Sequence, residues 1–312
     1  MRKSALMTAA IMLAASSVWA AAPIRFFELP KFTQPPTLDG DRSTVPGEWA
    51  GALEFDCSPG QILKDGAEFG WRDLQNQASE VSANQLVQSA TEDAATARTD
   101  ADVKSAIWQA WDDDALYYIL EVADNARDVV GGDRLESWWE RDSMSLYIDL
   151  NNEDLGGDTE GFYHSLNIVN FVAAPQGSSP VTVTLETTVQ ETRQATQDPD
   201  AVDGFTYGFR DAGDEFGGEA DYVIEGKMEW DAFQRVNLNS KPVVGTQMGF
   251  TWLLVDPDGD EGYGGQIQCV AWAGGPSAEF ANYVFSDAKA GPGAGTPVEQ
   301  DSWGRVKATF TR

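Results

Sequence analysis

Apolar side chains recur at alternate positions over much of the chain, in short runs rich in β-branched and aromatic residues and punctuated by Gly, Asp and Asn. The runs predict strands at 105–111, 115–123, 143–150, 162–171, 181–190, 221–230, 246–255, 267–273 and 303–311. The stretch Leu116-Tyr117-Tyr118-Ile119-Leu120-Glu121-Val122 is apolar at nearly every position, which is the pattern of a central strand covered on both faces. Met144-Ser145-Leu146-Tyr147-Ile148-Asp149 alternates instead, as a half-buried strand does. Turn-rich connectors are expected at 124–137, 151–161, 256–265 and 286–300.

Residues 72–98 break this rhythm. They are rich in Ala, Gln, Ser and Glu, and Leu74, Ala78, Val81 and Ala90 fall at helical spacing, so one amphipathic helix is expected there. With no internal repeat and no Pro- or Ser-rich linker, the pattern predicts one all-β domain: an antiparallel β-sandwich with one polar helical insertion, over 36–312. Residues 21–35 then form an N-terminal lead-in.

The first twenty residues read differently again. Arg2 and Lys3 precede a mostly apolar stretch from Ala5 to Val18, and Val18-Trp19-Ala20 puts small residues where a signal peptidase reads. A cleaved secretory signal is expected, with the cut after Ala20 and the mature protein periplasmic or secreted. The apolar stretch is shorter than the roughly 20 residues of a membrane span, and no later one reaches that length, so no membrane span is expected. Cleavage leaves 292 residues.

Charge narrows the partners. The full chain has 50 Asp+Glu against 21 Lys+Arg, a formal net charge of −29, and loss of Arg2 and Lys3 takes the mature chain to −31. Nucleic acid is a poor match, because affinity for phosphate backbones rests on Lys and Arg displacing condensed counterions. Anionic membrane surfaces are disfavoured for the same reason. Neutral sugars, bound cations or simple solubility in salty surroundings suit such a surface.

Cys57 and Cys269 are the only cysteines. In an oxidising compartment they form one disulfide or persist as two buried thiols, and sequence leaves both open. With a single histidine they make a structural zinc site a poor fit. Two acidic loops are candidate calcium sites, since calcium takes six to eight oxygen ligands. One contains Asp149, Asn151, Asn152, Glu153, Asp154, Asp158 and Glu160; the other contains Asp256, Asp258, Asp260 and Glu261. The second lacks a glycine at the sixth position and a glutamate at the twelfth, so it is not an EF-hand, and solvated turns are the simpler account of both loops. No nucleophile elbow, metalloprotease helix, P-loop or dinucleotide fingerprint is present, and nothing marks a serine partner for His164. The chain reads as non-catalytic.

Four blocks carry a family resemblance. They are Pro36-Thr37-Leu38-Asp39-Gly40-Asp41 with Glu48-Trp49; Ala110-Trp111-Asp112-Asp113-Asp114-Ala115-Leu116-Tyr117-Tyr118 running to Asp124; Trp139-Glu140-Arg141-Asp142-Ser143 through Asp149; and Tyr222-Val223-Ile224-Glu225-Gly226-Lys227-Met228-Glu229-Trp230. The stretch from Gly245 to Asp258 and the closing Trp303-Gly304-Arg305-Val306 complete the order. Together they resemble the family 9 carbohydrate-binding module, a DOMON-like β-sandwich, from Pro36 to Phe310. The resemblance implies a module that binds neutral oligo- or polysaccharide, often with calcium, and that serves a separate glycoside hydrolase.

In sugar-binding members the tryptophan opening the third block stacks on a sugar ring, and that position here is Trp139, with Trp138 beside it. Three departures stand out. The carboxylate that the family carries after Asp-Ser-x is replaced by Ser145, and the basic residue of the following strand by Ser165. A second sandwiching tryptophan has no match between Lys289 and Gln300, which leaves Trp272 as the substitute. Two rival readings are carried alongside. Related sandwiches hold haem between His and Met ligands, for which His164 with Met144, Met228 or Met248 is the candidate set, without covalent attachment. A structural or adhesive surface protein that binds calcium is the other.

Overall fold

The computed structural model describes residues 25–61, 99–126, 143–152, 166–172, 183–187, 193–196, 204–236, 238–256, 266–269 and 280–294. Among the described residues thirteen strands carry the fold: β1 (Phe26–Phe32), β2 (Leu53–Asp56), β3 (Val103–Trp111), β4 (Ala115–Asp124), β5 (Ser143–Asp149), β6 (Leu166–Val172), β7 (Val183–Thr187), β8 (Arg193–Thr196), β9 (Phe205–Gly213), β10 (Asp221–Glu229), β11 (Gln247–Val255), β12 (Gln266–Gln268) and β13 (Ala281–Ala290). A short helix, α1 (Trp230–Val236), follows β10 directly.

All strands join one hydrogen-bonded sheet in the order β8-β7-β6-β5-β11-β13-β1-β3-β4-β10-β9, with β12 on β11 and β2 on β3. The sheet curls so that its two halves face each other. Side chains from the β11–β13 half meet those of the β2–β3–β4 half: Tyr118 lies 5.9 Å from Trp252, Phe55 5.4 Å from Phe250, and Trp111 5.1 Å from Phe285, by ring centroids. This is the all-β sandwich that the alternation predicts.

Strand parity explains the core. On β4, Leu116, Tyr118, Leu120 and Val122 point between the sheets, while Ala115, Tyr117 and Ile119 point outward into a second apolar layer with Trp108, Val223, Phe32 and Trp49. Residues 33–52 cover that outer face. β4 is therefore buried on both sides, as its unbroken apolar run requires. Gly226 faces inward on β10, where its missing side chain leaves room for the Tyr118 hydroxyl.

The structure corrects two expectations. Residues 26–32 are a strand rather than a lead-in: β1 pairs in parallel with β13 and touches β3, so it joins the two halves of the sheet. Pro30 disguises it, and sits where the register slips between Leu29 and Lys31, a position that needs no ladder N–H. The expected connector 286–300 begins inside β13, whose final turns outward expose Asp287, Ala288 and Lys289 before Ala290 is buried. The ladder is antiparallel except at β1. The expected strand 303–311 and helix 72–98 lie outside the described residues.

Candidate functional site

The most concentrated polar structure on the outer face is built around Glu225. Outward parity on β10 aims this side chain at the covering segment, and it is fully buried. Its Oε2 accepts hydrogen bonds from the backbone N–H groups of Asp39 (2.9 Å) and Gly40 (3.0 Å), and its Oε1 accepts one from Trp49 Nε1 (2.8 Å). Gly40 adopts a φ of 76°, the left-handed conformation that lets the Asp-Gly turn present two successive N–H groups to one oxygen. The Trp49 ring packs edge-on against Phe32 at 5.2 Å.

A second carboxyl lies alongside. Glu48 is 2% exposed; its Oε2 accepts from the Thr37 N–H at 3.3 Å and its Oε1 has no hydrogen-bond partner. Burial pushes the Glu225 carboxyl up to about 7, against the pull of its three donors, and the nearby Glu48 charge adds to the rise. Burial also raises Glu48, with Asp39 and Asp41 contributing. Two arginines frame the turn. Arg210 Nε donates to Gly40 O at 2.8 Å and its guanidinium pairs with Glu215; Arg42 lies 3.9 Å over the Trp108 ring and donates to Glu121 at 2.9 Å.

Three donors from residues 39, 40 and 49 converge on Glu225, so the arrangement fastens residues 33–52 to the sheet. Sequence reasoning passes over Glu225; its one signal is a charged residue inside the apolar run Tyr222-Val223-Ile224.

The candidate calcium loops occupy opposite ends of the β5–β11 pair. Asp149, 4% exposed, pairs with Gly249 where β11 starts, and Asp256, 2% exposed, follows β11 directly beyond the Ser143–Val255 pair. Six residues of strand, about 20 Å, separate them, so they form two distinct neighbourhoods. Asn151 Oδ1 is already engaged by the Asn239 N–H at 3.0 Å. Glu153, Asp158, Asp258 and Asp260 lie outside the described residues. Among the described residues no group of three or more His, Cys, Asp or Glu is arranged to hold a metal ion.

Cys57 and Cys269 form a disulfide, with Cα atoms 4.9 Å apart, buried between the half-sheets. Their strands hold them there: Cys57 N–H donates to Ser105 O at 2.7 Å and Cys269 N–H to Trp252 O at 2.9 Å. The bridge fixes the chain three residues before Trp272. Trp138, Trp139 and Trp272 lie outside the described residues, as do Ser165 and His164. Met144, Met228 and Met248 are fully buried in the sandwich core. No helix among the described residues is long and apolar enough to cross a membrane.

The profile of the family described as carbohydrate family 9 binding domain-like matches residues 74–288. The chain is also similar to a family 9 carbohydrate-binding module from Caldicellulosiruptor kristjanssonii solved with cellotriose, at 14% identity over 88% of this chain and 99% of that one, TM-score 0.47. A structure of a family 9 module from the same organism with glucose gives 13% identity, 87% and 98% coverage, and a TM-score of 0.42. No curated protein matches the chain.

Proposed function

The chain belongs to the carbohydrate family 9 binding domain-like family, and from that premise we propose that it is an exported, non-catalytic protein that binds neutral glycan by aromatic stacking. The observation that carries the reading is the family match itself, whose 74–288 span includes Trp138, Trp139 and Trp272. In this reading Trp139 offers its ring to the C–H face of a sugar, with Trp138 and Trp272 as further aromatic surface. A net charge of −29 before signal cleavage suits an uncharged ligand better than an anionic one.

Export to a periplasm or beyond follows from the segment ending at Ala20, and the buried Cys57–Cys269 disulfide suits an oxidising compartment. N-terminal sequencing of the exported protein should begin at Ala21. The biological role proposed is support of polysaccharide breakdown beside a separate glycoside hydrolase. Calcium is proposed at the acidic loops as a stabilising ion; chelation should then lower the melting temperature, because an ion bound only by the native state stabilises it by mass action.

Titration with soluble oligosaccharides from a broad glycan screen tests the central claim. A bound sugar should quench or shift tryptophan fluorescence, and Trp139→Ala should abolish the response while leaving the far-ultraviolet circular dichroism unchanged. A screen without a hit, or an undiminished response in the variant, overturns the stacking site.

A further inference from the structure

The outer face of β4 and β10 is covered by a segment of about twenty residues, 33–52, pinned at its ends and clasped at its middle. Phe32 and Trp49 anchor it by packing, and Glu225 anchors it through three hydrogen bonds. The remaining polar ties are Arg210 to Gly40 O and Arg42 to Glu121, both at the solvent boundary, and backbone bonds that pin the two ends of the segment, from the Thr33 N–H to Ala290 O at 3.1 Å and from the Gly291 N–H to Ala50 O at 2.9 Å. Glu48, the other buried carboxyl, belongs to the segment itself and leaves with it.

We propose that residues 33–52 form a proton-dependent clasp, in which the buried Glu48 and Glu225 carboxyls hold one proton between them when the clasp is shut and lose it when the clasp lifts. Two carboxylates sealed in one apolar layer cannot both stay ionised without a counter-charge. Glu225 spends both oxygens on three N–H donors, whereas Glu48 Oε1 is buried and has no partner. One proton gives that pair one carboxyl and one carboxylate, and which of the two carries it is a property of the pair.

The surrounding charges do not remove the need for that proton. From the segment come Asp39, Asp41 and Arg42; from β4, Glu121 and the Tyr117 hydroxyl; from β9 and its turn, Arg210 and Glu215; from β10, Lys227 and Glu229. Arg42 is taken by Glu121, Arg210 by Glu215 and Lys227 by Glu229. Tyr117 donates to Asp112 at 2.9 Å. The cations are thus committed, and Asp39 and Asp41 add negative charge.

The sign follows from linkage. The shut clasp binds the proton more tightly than the lifted one, so acid favours closure and alkali favours lifting. With Glu225 titrating at about 7 in the shut clasp and near 4.5 once exposed, closure should strengthen about tenfold from pH 8 to pH 6.

Hydrogen–deuterium exchange of the full chain, corrected for intrinsic rates, reads this directly. Amides of residues 33–52 should exchange faster than those of β4 at both pH values, and their protection should be about tenfold higher at pH 6 than at pH 8. Glu48→Gln, which supplies a neutral partner permanently, should raise protection at pH 8 and flatten the difference; Glu225→Gln should flatten it at lower overall protection. Equal protection of the segment and β4 at both pH values would mean that it opens only on global unfolding, and the clasp is then wrong. A wild-type segment indifferent to pH, or a full tenfold response in Glu48→Gln, also overturns it. The second criterion holds even if Glu225→Gln does not fold.

Discussion

Trp252 and Gln109 meet across the middle of the sandwich: the indole Nε1 of β11 donates to the Gln109 Oε1 of β3 at 3.1 Å. The Tyr283 hydroxyl of β13 donates to the same oxygen. One fully buried side chain therefore satisfies donors from two strands of the opposite half-sheet. Its loss removes the acceptor that two buried donors share. Gln109→Ala should destabilise the fold by about 2–4 kcal/mol, and Gln109→Leu, which nearly keeps the volume, should cost almost as much. Urea unfolding monitored by circular dichroism distinguishes this from a packing effect: recovery of wild-type stability in the leucine variant would assign the cost to the cavity alone.

The disulfide joins the same two halves 212 residues apart in sequence. Cross-linking so distant a pair removes much of the freedom of the unfolded chain, a stabilisation of roughly 5 kcal/mol in the chain-entropy view. Both cysteines are buried, so mild reductant should act slowly on the native protein and rapidly once it is partly unfolded. The paired Cys57→Ala/Cys269→Ala variant should melt well below the wild type. Identical melting temperatures with and without a strong reductant present during unfolding would refute a stabilising role.

Gly226 is a third local test. A Cβ built there would run into the Tyr118 hydroxyl and approach the Thr206 carbonyl to 3.0 Å. Tyr118 is locked between the sheets against Trp252, so it has little room to yield. Gly226→Ala should cost about 1–3 kcal/mol, and Gly226→Ala/Tyr118→Phe should recover part of it. Failure of the phenylalanine to relieve any of the cost would place the strain at the β9 backbone instead.

These positions also show how much a sequence pattern can carry. β3, β4, β5, β10 and β11 are legible because their alternation reports burial directly: the inward set of β4 and its outward set are both apolar, and both are covered. β1 is not legible, because Pro30 interrupts its run and its partners, β13 and β3, lie far away in sequence. β13 looks like a loop at its end because Asp287 to Lys289 face solvent. For the site, Trp139 and Trp272 emerge from motif resemblance, which places residues in order along a chain without saying what surrounds them. Glu225 shows the converse. Its partners are 176 to 186 residues away, and no local spacing announces that a turn and an indole will converge on it.

The same carboxyl sets a direction for stability against pH. Glu225 titrates at about 7 in the folded protein and near its ordinary 4.5 once exposed. Between those values the folded state binds more protons than the unfolded state, so the free energy of unfolding falls as pH rises. The contribution is fully present below about 4.5, fades through the window up to about 7, and is gone above it. Its size is about 3 kcal/mol if the whole shift is realised. Lys and Arg numbering 21 against 50 acidic residues push the same way, since charging the remaining carboxyls adds self-repulsion. The specific part is isolated by comparison. Guanidinium unfolding at pH 5, 6, 7 and 8 should give a steeper decline for the wild type than for Glu225→Gln, with the two curves running parallel above pH 8. Curves parallel throughout would mean that Glu225 ionises as an ordinary glutamate, its three N–H donors having outweighed its burial.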